Sequence, residues 1–304
     1  MLVVRRLLGA LVTLWLAMSM AFLLARATGD PVRQMLGPEA TEERVNEVRT
    51  ELGLTKPLPL QYVDYMSQLF AGDMGTSTRF GVANSTLIWG TLPASATLAA
   101  AAMTLAIGVG IALGTLAGMR SGSMVDRLAT GLAFLGQSTP LFWVGMILIL
   151  VFAETLRWLP AGQSGALVHL LMPAVTLSLS PMAKIALLTR SGMRTAMHED
   201  YVMAARARGI AQWRIVFIHA LRNATLPAMT ITALQAGAMM SSAVTVELVF
   251  SWPGLGQLAT QAVLARDFSL VQAIVLVSAS IFVALNLLAD LAYTIVDPRI
   301  RSAR

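Results

Sequence analysis

Six stretches of this chain stay apolar for long enough to cross a lipid bilayer, which takes about 20 residues of helix. They fall at about 7–25, 93–119, 128–153, 170–190, 224–249 and 271–296. Backbone inside hydrocarbon must satisfy its own hydrogen bonds, so stretches of this length form helices. Composition agrees: 56% of residues are hydrophobic and 12% charged, against roughly 25% charged in soluble domains. The expected fold is an all-α membrane protein with six transmembrane helices.

The first stretch follows Arg5 and Arg6 as a signal peptide would, but no small-x-small cleavage pattern comes after it. It reads as a retained anchor, residues 1–27. Pro173 and Pro181 predict a kink in the fourth span, tolerable where neighbouring helices re-satisfy freed backbone groups. The connecting segments set an orientation. The N-terminus, Arg120–Arg127, the 191–223 loop and the 298–304 tail are rich in arginine, whereas the 28–91 segment carries five basic and eight acidic residues. The bias places both termini and the 191–223 loop in the cytoplasm and an external segment at 28–92. Within that segment "TEERVNEVRTELGL" reads as a helix stopped by Gly53. Residues 93–297 form a five-helix core.

The 191–223 loop is the most informative piece. Glu199 and Asp200 sit where a helix N-terminus favours negative charge. Tyr201, Ala204, Ala205 and Arg208 then recur at helical spacing, with Arg206 and Ala207 between them, and Gly209 suits a helix C-cap. A second amphipathic segment follows, with Trp213, Val216, Phe217 and Ala220 expected on one side. Two readings fit: a basic loop lying on lipid headgroups, or a shallow surface that a cytoplasmic partner approaches closely.

"AARARG" with its amphipathic sequel resembles the EAA loop of bacterial ABC-importer permeases. The likeness runs the length of the chain through "GDP" (29–31), "LGLTKPLPLQY" (52–62), "GDMGTS" (72–77) and "TLPA" (91–94). It continues through "LGQSTPLFWVG" (135–145), "HALRNATLP" (219–227), "VFSWPGLG" (249–256) and "DPRIR" (297–301). Together these resemble the dipeptide/oligopeptide/nickel permease family. The generic EAA pattern has Glu where this chain has Met203 and Pro where it has Arg222. The resemblance implies a type I ABC-importer permease in the inner membrane. It implies a second, homologous permease, two cytoplasmic ATPases carrying ATP and Mg, and an external solute-binding protein. It also implies a coupling role for the Glu199–Gly209 loop, and peptides as leading cargo with nickel chelates or glutathione as relatives.

Other residues define rival classes. "GQSG" at 162–165, with His169 nearby, has the look of an intramembrane serine protease, but glycine and serine in a short loop need no catalytic explanation. There is no cysteine, no H-E-x-x-H and no G-x-x-x-x-G-K-[ST], so thiolate chemistry, a metal enzyme and nucleotide binding by this chain are not expected. An ATP-independent secondary transporter would need relay groups. Glu247 and Asp290 are the acids inside spans, each readable as a relay or as a paired residue, and Lys184 reads as a snorkelling cation. Gln137, Ser138, Thr139 and Gln235 interrupt apolar spans and should face a cavity or another helix. After span five, Trp252-Pro253-Gly254 reads as a tight turn with positive φ at the glycine. A short external helix including Gly256 and Leu258 follows, which together with that turn is a candidate gate.

Overall fold

The computed structural model describes residues 2–27, 32, 36, 40–51, 53–162 and 165–296. "GDP" at 29–31, Ser164, the Asp290 side chain and the stretch from 297 onward lie outside the described residues. In order, the helices are α1 (Leu2–Ala27), α2 (Glu42–Glu51), α3 (Leu58–Phe70), α4 (Asn84–Met119), α5 (Met124–Ser138), α6 (Leu141–Leu148) and α7 (Leu167–Ala196). They continue as α8 (Asp200–Ala207), α9 (Gln212–Arg214), α10 (Leu221–Ala224), α11 (Leu226–Val249), α12 (Leu255–Leu264) and α13 (Phe268–Val296). Among the described residues five helices are long and apolar enough to span a membrane: α1, α4, α7, α11 and α13. A sixth span exists if α5 and the Leu141–Thr155 segment are one broken crossing.

That break corrects the expected continuous span at 128–153. Thr139 precedes Pro140, and a residue before proline is driven out of helical backbone. Thr139 (φ −87°, ψ 132°) and Pro140 (φ −61°, ψ 132°) are both extended, and the two helices meet at 107°. Beyond the corner, α6 runs into π-helical turns over Ile149–Thr155. The second span is also longer than expected, since α4 begins at Asn84 and passes through Pro93. The fourth span likewise runs through Pro173 and Pro181 as one helix.

The chain divides into two compact units, 1–93 with 254–283 and 94–253 with 284–304. In the first, α3 lies along the C-terminal half of α1. Ser19 and Tyr62 share a hydrogen bond of 2.7 Å, Phe22 meets Tyr62 edge-on at 5.3 Å, and Arg26 donates to Gln61 at 2.9 Å. Ile88, Leu255, Leu258, Ala262, Leu270 and Ile274 form the core beneath α12 and α13. Asp267, fully buried, organises the start of α13 by accepting from Ser77 Oγ at 2.5 Å and from the amides of Arg79 and Leu270 at 3.1 Å. Gly53 has φ +66° and follows α2 closely, the geometry of a glycine helix stop.

The second unit is built around α7. Gly110, Gly114 and Gly118 of α4 press directly on its backbone. A Cβ at Gly114 would lie 2.4 Å from the Ala186 carbonyl oxygen, and one at Gly110 would lie 2.9 Å from that of Met182. A Cβ at Gly118 would meet Arg190 O at 2.8 Å. This is the small-xxx-small solution for helices in lipid, where no hydrophobic force drives association and close backbone approach replaces it. Gly145 makes room for the Val249 and Phe250 side chains, and Gly162 for the Phe250 backbone. A Cβ at Gly162 would sit 2.3 Å from the Phe250 carbonyl oxygen, so close packing accounts for the first glycine of "GQSG". By contrast, α5 leaves Leu128, Leu132 and Leu135 exposed at helical spacing, and Phe142 and Trp143 beyond the corner are exposed too.

The seam yields a direct expectation. Gly114→Val overpacks α4 against α7 and should destabilise the purified protein by about 1–3 kcal/mol. Gly108→Val should be near neutral, because nothing lies within 4 Å of a Cβ there. Thermal unfolding in detergent measures both, and equal midpoints for the two variants would refute the seam.

Candidate functional site: the loop between α7 and α11

The loop begins on a fixed base. Asp126, in the first turn of α5, is 2% exposed and is gripped by the Arg190 guanidinium of α7 through Nε and, at 2.8 Å, through Nη2. The amide of Gly122 donates to the same carboxylate at 2.8 Å. Two residues on, Gly192 accepts the backbone of the loop's far end, where a Cβ would stand 2.4 Å from Ala224 O. Met193, Ala196, Val216, Ala220 and Ala224 close a small core around that contact.

On this base stands α8. Glu199 is its extended N-cap residue, and Asp200 lies in the first turn, where carboxylates complement the helix dipole. At the other end Gly209 takes φ +72°. Its amide donates to Arg206 O at 3.0 Å and that of Ile210 to Ala205 O at 3.1 Å, the two bonds of a Schellman cap. Val202 and Ala205 point inward against Ile215 and Ile210. Tyr201, Met203, Ala204, Arg206, Ala207 and Arg208 are exposed. The expected single face of Tyr201, Ala204, Ala205 and Arg208 is therefore split: Ala205 belongs to the interior and the other three to the surface.

The second segment departs from its expected pattern for a backbone reason. Residues Ile215–Ala220 form π-helical turns between α9 and α10, so side-chain directions drift from the 3.6-residue period. Ile215, Val216 and Ala220 are buried, while Trp213 and Phe217 are 57% and 60% exposed. Arg214 covers the Trp213 ring at 5.2 Å. Beside α8 an open cavity of about 660 Å³ is lined by Ser191, Thr195, Glu199, Tyr201, Asn223 and Pro227 among others. The Asn223 amide lies 3.4 Å from the Tyr201 hydroxyl across it.

The other residues singled out from sequence are not gathered with the loop. Gln137 and Ser138 are exposed at the end of α5, and Thr139 Oγ1 donates back to Leu135 O at 2.6 Å. Gln235 is 9% exposed and accepts from Lys184 Nζ at 3.2 Å, so Lys184 is tied to α11 instead of snorkelling. Glu247 is buried and accepts from Ser95 Oγ at 2.6 Å. The turn after α11 also differs from expectation. Gly254 is extended at φ −103°, and Ser251 carries the positive φ, +49°. The amides of Ser251 and Trp252 donate to Leu248 O at 3.3 Å and Glu247 O at 2.8 Å. This is the same Schellman cap with serine in the place glycine usually takes. Trp252 is 6% exposed, its indole donating to Ala94 O at 2.9 Å, so the ring serves packing within its unit.

Among the described residues no group of three His, Asp or Glu could hold a metal ion. The profile of the "binding-protein-dependent transport system inner membrane component" family matches residues 110–302. The chain belongs to that family. A companion profile for the N-terminal part of such membrane components matches residues 1–85. A probable peptide ABC transporter permease protein of Sinorhizobium fredii is 38% identical over 98% of both chains. A dipeptide transport system permease protein of Escherichia coli is 36% identical over 90% of both. A glutathione transport system permease protein of Pectobacterium atrosepticum is 36% identical over 98% of both. Among solved structures, a chain from an amino acid ABC transporter crystallised with histidines aligns with a TM-score of 0.52 at 18% identity. The alignment covers 69% of this chain and 94% of that one, and it supports the fold alone. This protein is thus a multi-pass transport permease of the inner-membrane component family.

Neither Asp126 nor Arg190 stood out in the sequence, since each reads there as one more loop-end charge. In the structure they set the loop's footing. Asp126→Asn leaves the arginine without its counter-charge and should cost this permease about 3 kcal/mol, whereas Asp126→Leu with Arg190→Leu should cost less than the single change. Thermal unfolding of the three proteins decides it. A single variant as stable as wild type would mean the pair contributes nothing.

Proposed function

We propose that this permease is one of two homologous membrane subunits of an ABC importer carrying di- and oligopeptides across the cytoplasmic membrane. In this reading it crosses six times, the bent α5–α6 pair counting as one span, with both termini in the cytoplasm. An external binding protein delivers cargo, and two partner ATPases bind ATP and Mg. The observation that carries the proposal is α8: a short capped helix with an outward face of Tyr201, Ala204, Ala207 and Arg208, braced by Ile215 and Val202 beneath. Small side chains let another protein approach the backbone closely, and the arginines suit an acidic rim. The peptide cargo is supported by the Sinorhizobium relative, a probable peptide permease, and the Escherichia relative, a dipeptide permease. The Pectobacterium relative keeps glutathione, itself a small peptide, as the second reading.

ATP-driven movement of the ATPases then acts on the permease through α8 and the α9–α10 segment into α11. A ligand shifts such an equilibrium only by binding one state better. The closed ATPase dimer supplies that difference. Replacing exposed Ala204 with Glu should reduce ATPase co-purification and peptide uptake roughly tenfold or more, as a disrupted interface centre does, with the permease's own melting point unchanged. Ala205→Glu is not an equivalent test, because it breaks the loop from within. Full uptake by the Ala204 variant would remove α8 from coupling.

The segment after α11 is the second proposed working part. Trp252, Pro253, Gly254 and Gly256 act as an external gate, directly continuous in sequence with the helix that leaves the coupling loop. The rigid cap at Ser251 and the Trp252–Ala94 bond favour a turn that moves as a unit. Changing Pro253 and Gly254 together to alanine should raise the complex's ATPase activity without binding protein, or abolish stimulation by it. Wild-type values for both in an assembled complex would reduce the turn to packing.

A further inference from the structure

Lys184 stands inside a membrane helix with a neutral partner. It lies six residues before Arg190, where the span gives way to the loop, which at about 1.5 Å per residue puts it roughly 9 Å inside that end. Its Nζ donates to Gln235 Oε1 at 3.2 Å, an acceptor with no charge to offset the ammonium. Both carboxylates whose partners are known in this unit's helices are engaged elsewhere, Asp126 by Arg190 and Glu247 by Ser95. A cation at this depth is costly, and such residues face a bundle interior or a water-filled path.

The position of Lys184 around α7 says which. The faces of α7 that carry Met182, Ala186 and Arg190 are covered by the α4 glycines, and Ala183 lies against Gly136 of α5. Ile185 packs with Ala228 of α11. The remaining strip is less fully covered: Ser180 and Lys184 are half-buried, as are Leu187 and Leu188 between them and the exposed Ser191 and Thr195. The four polar residues fall at i, i+4, i+11 and i+15, one side of the helix. At its lower end the strip runs into the 660 Å³ cavity, whose lining includes Ser191 and Thr195. A partly polar strip that starts at a half-buried cation and ends in an open cavity can line a path, and the ammonium would favour anions along it.

We infer that Lys184, held in position by Gln235, receives the carboxylate of cargo as it passes along the Ser180–Thr195 face of α7. Lys184 is thereby a specificity-determining residue for substrates that carry a free carboxylate, a property every peptide with an unblocked C-terminus has. The carboxylate part rests on the peptide reading above. The anion-selective path does not.

Two measurements on the assembled importer separate these. The chain has no cysteine, so Ser180→Cys places a single thiol one turn from Lys184. With Lys184 present, a negatively charged thiosulfonate should label it several-fold faster than a positively charged one, through the Coulomb attraction of the ammonium. Adding Lys184→Met should remove that preference. A thiol protected from both reagents with and without ATP, or a preference that Lys184→Met leaves intact, overturns the path. In the second measurement, uptake of alanyl-alanine at saturating concentration should fall roughly tenfold in Lys184→Met, for loss of a charge-assisted hydrogen bond. Lys184→Arg should keep most of the rate. Equal rates in wild type and Lys184→Met overturn the carboxylate role, as does an equal loss in Lys184→Met and Lys184→Arg. A Ser180→Cys importer that labels as expected, while the wild-type importer moves no peptide, sinks the peptide reading and leaves the anion path standing.

Discussion

Backbone-to-backbone contact between α4 and α7 is the constraint on which the second unit depends. In lipid the helices gain nothing from hiding apolar surface, because the tails outside are equally apolar. What holds them is dispersion at short range and the exclusion of lipid, and both need the chains closer than side chains allow. Gly110, Gly114 and Gly118 provide that proximity, and α7 responds with carbonyls of Met182, Ala186 and Arg190 at distances no Cβ could share. Once α7 is held on this side, its orientation about its own axis is settled. Arg190 then meets Asp126, Gly192 meets Ala224, and Lys184 turns to Gln235.

The same economy governs the ends of helices. Gly209 and Ser251 each close a helix by the same pair of hydrogen bonds. Glycine takes the left-handed backbone at little cost, while serine pays for its Cβ with about 1 kcal/mol. The cap at Ser251 is nevertheless kept, with Trp252 seated under it on the Ala94 carbonyl. A strained residue persists where its surroundings over-determine it, and here the surroundings are the tryptophan and its anchor.

Much of this architecture was legible in the sequence, for identifiable reasons. Span positions followed from apolar run length, since lipid imposes that length directly. The α8 start at Glu199–Asp200 and its stop at Gly209 followed from capping chemistry, which is local. Errors arose where local signals competed. Pro140 broke a span although Pro93, Pro173 and Pro181 did not, and the bias of the residue before a proline against helix does not by itself tell the four apart. The apolar side of the second loop segment shifted because Ile215–Ala220 winds as π-helix, and no periodicity argument foresees a change of period. Ala205 looked like surface because its inward partner, Ile215, is ten residues away. The glycine seam at Gly110, Gly114 and Gly118 was not read from the sequence, and its spacing alone would not have named the helix it fits.

The corner at Thr139–Pro140 leaves apolar side chains on view along both arms, Leu128, Leu132 and Leu135 on one and Phe142 and Trp143 on the other. Whatever covers them contributes to the free energy of the folded chain, because a species that binds only the folded form stabilises it by mass action. The permease therefore has no single intrinsic stability. Its melting temperature is a joint property of the protein and its solvent, and it will differ between a detergent micelle, a lipid bilayer and an assembled complex even when not one internal contact changes.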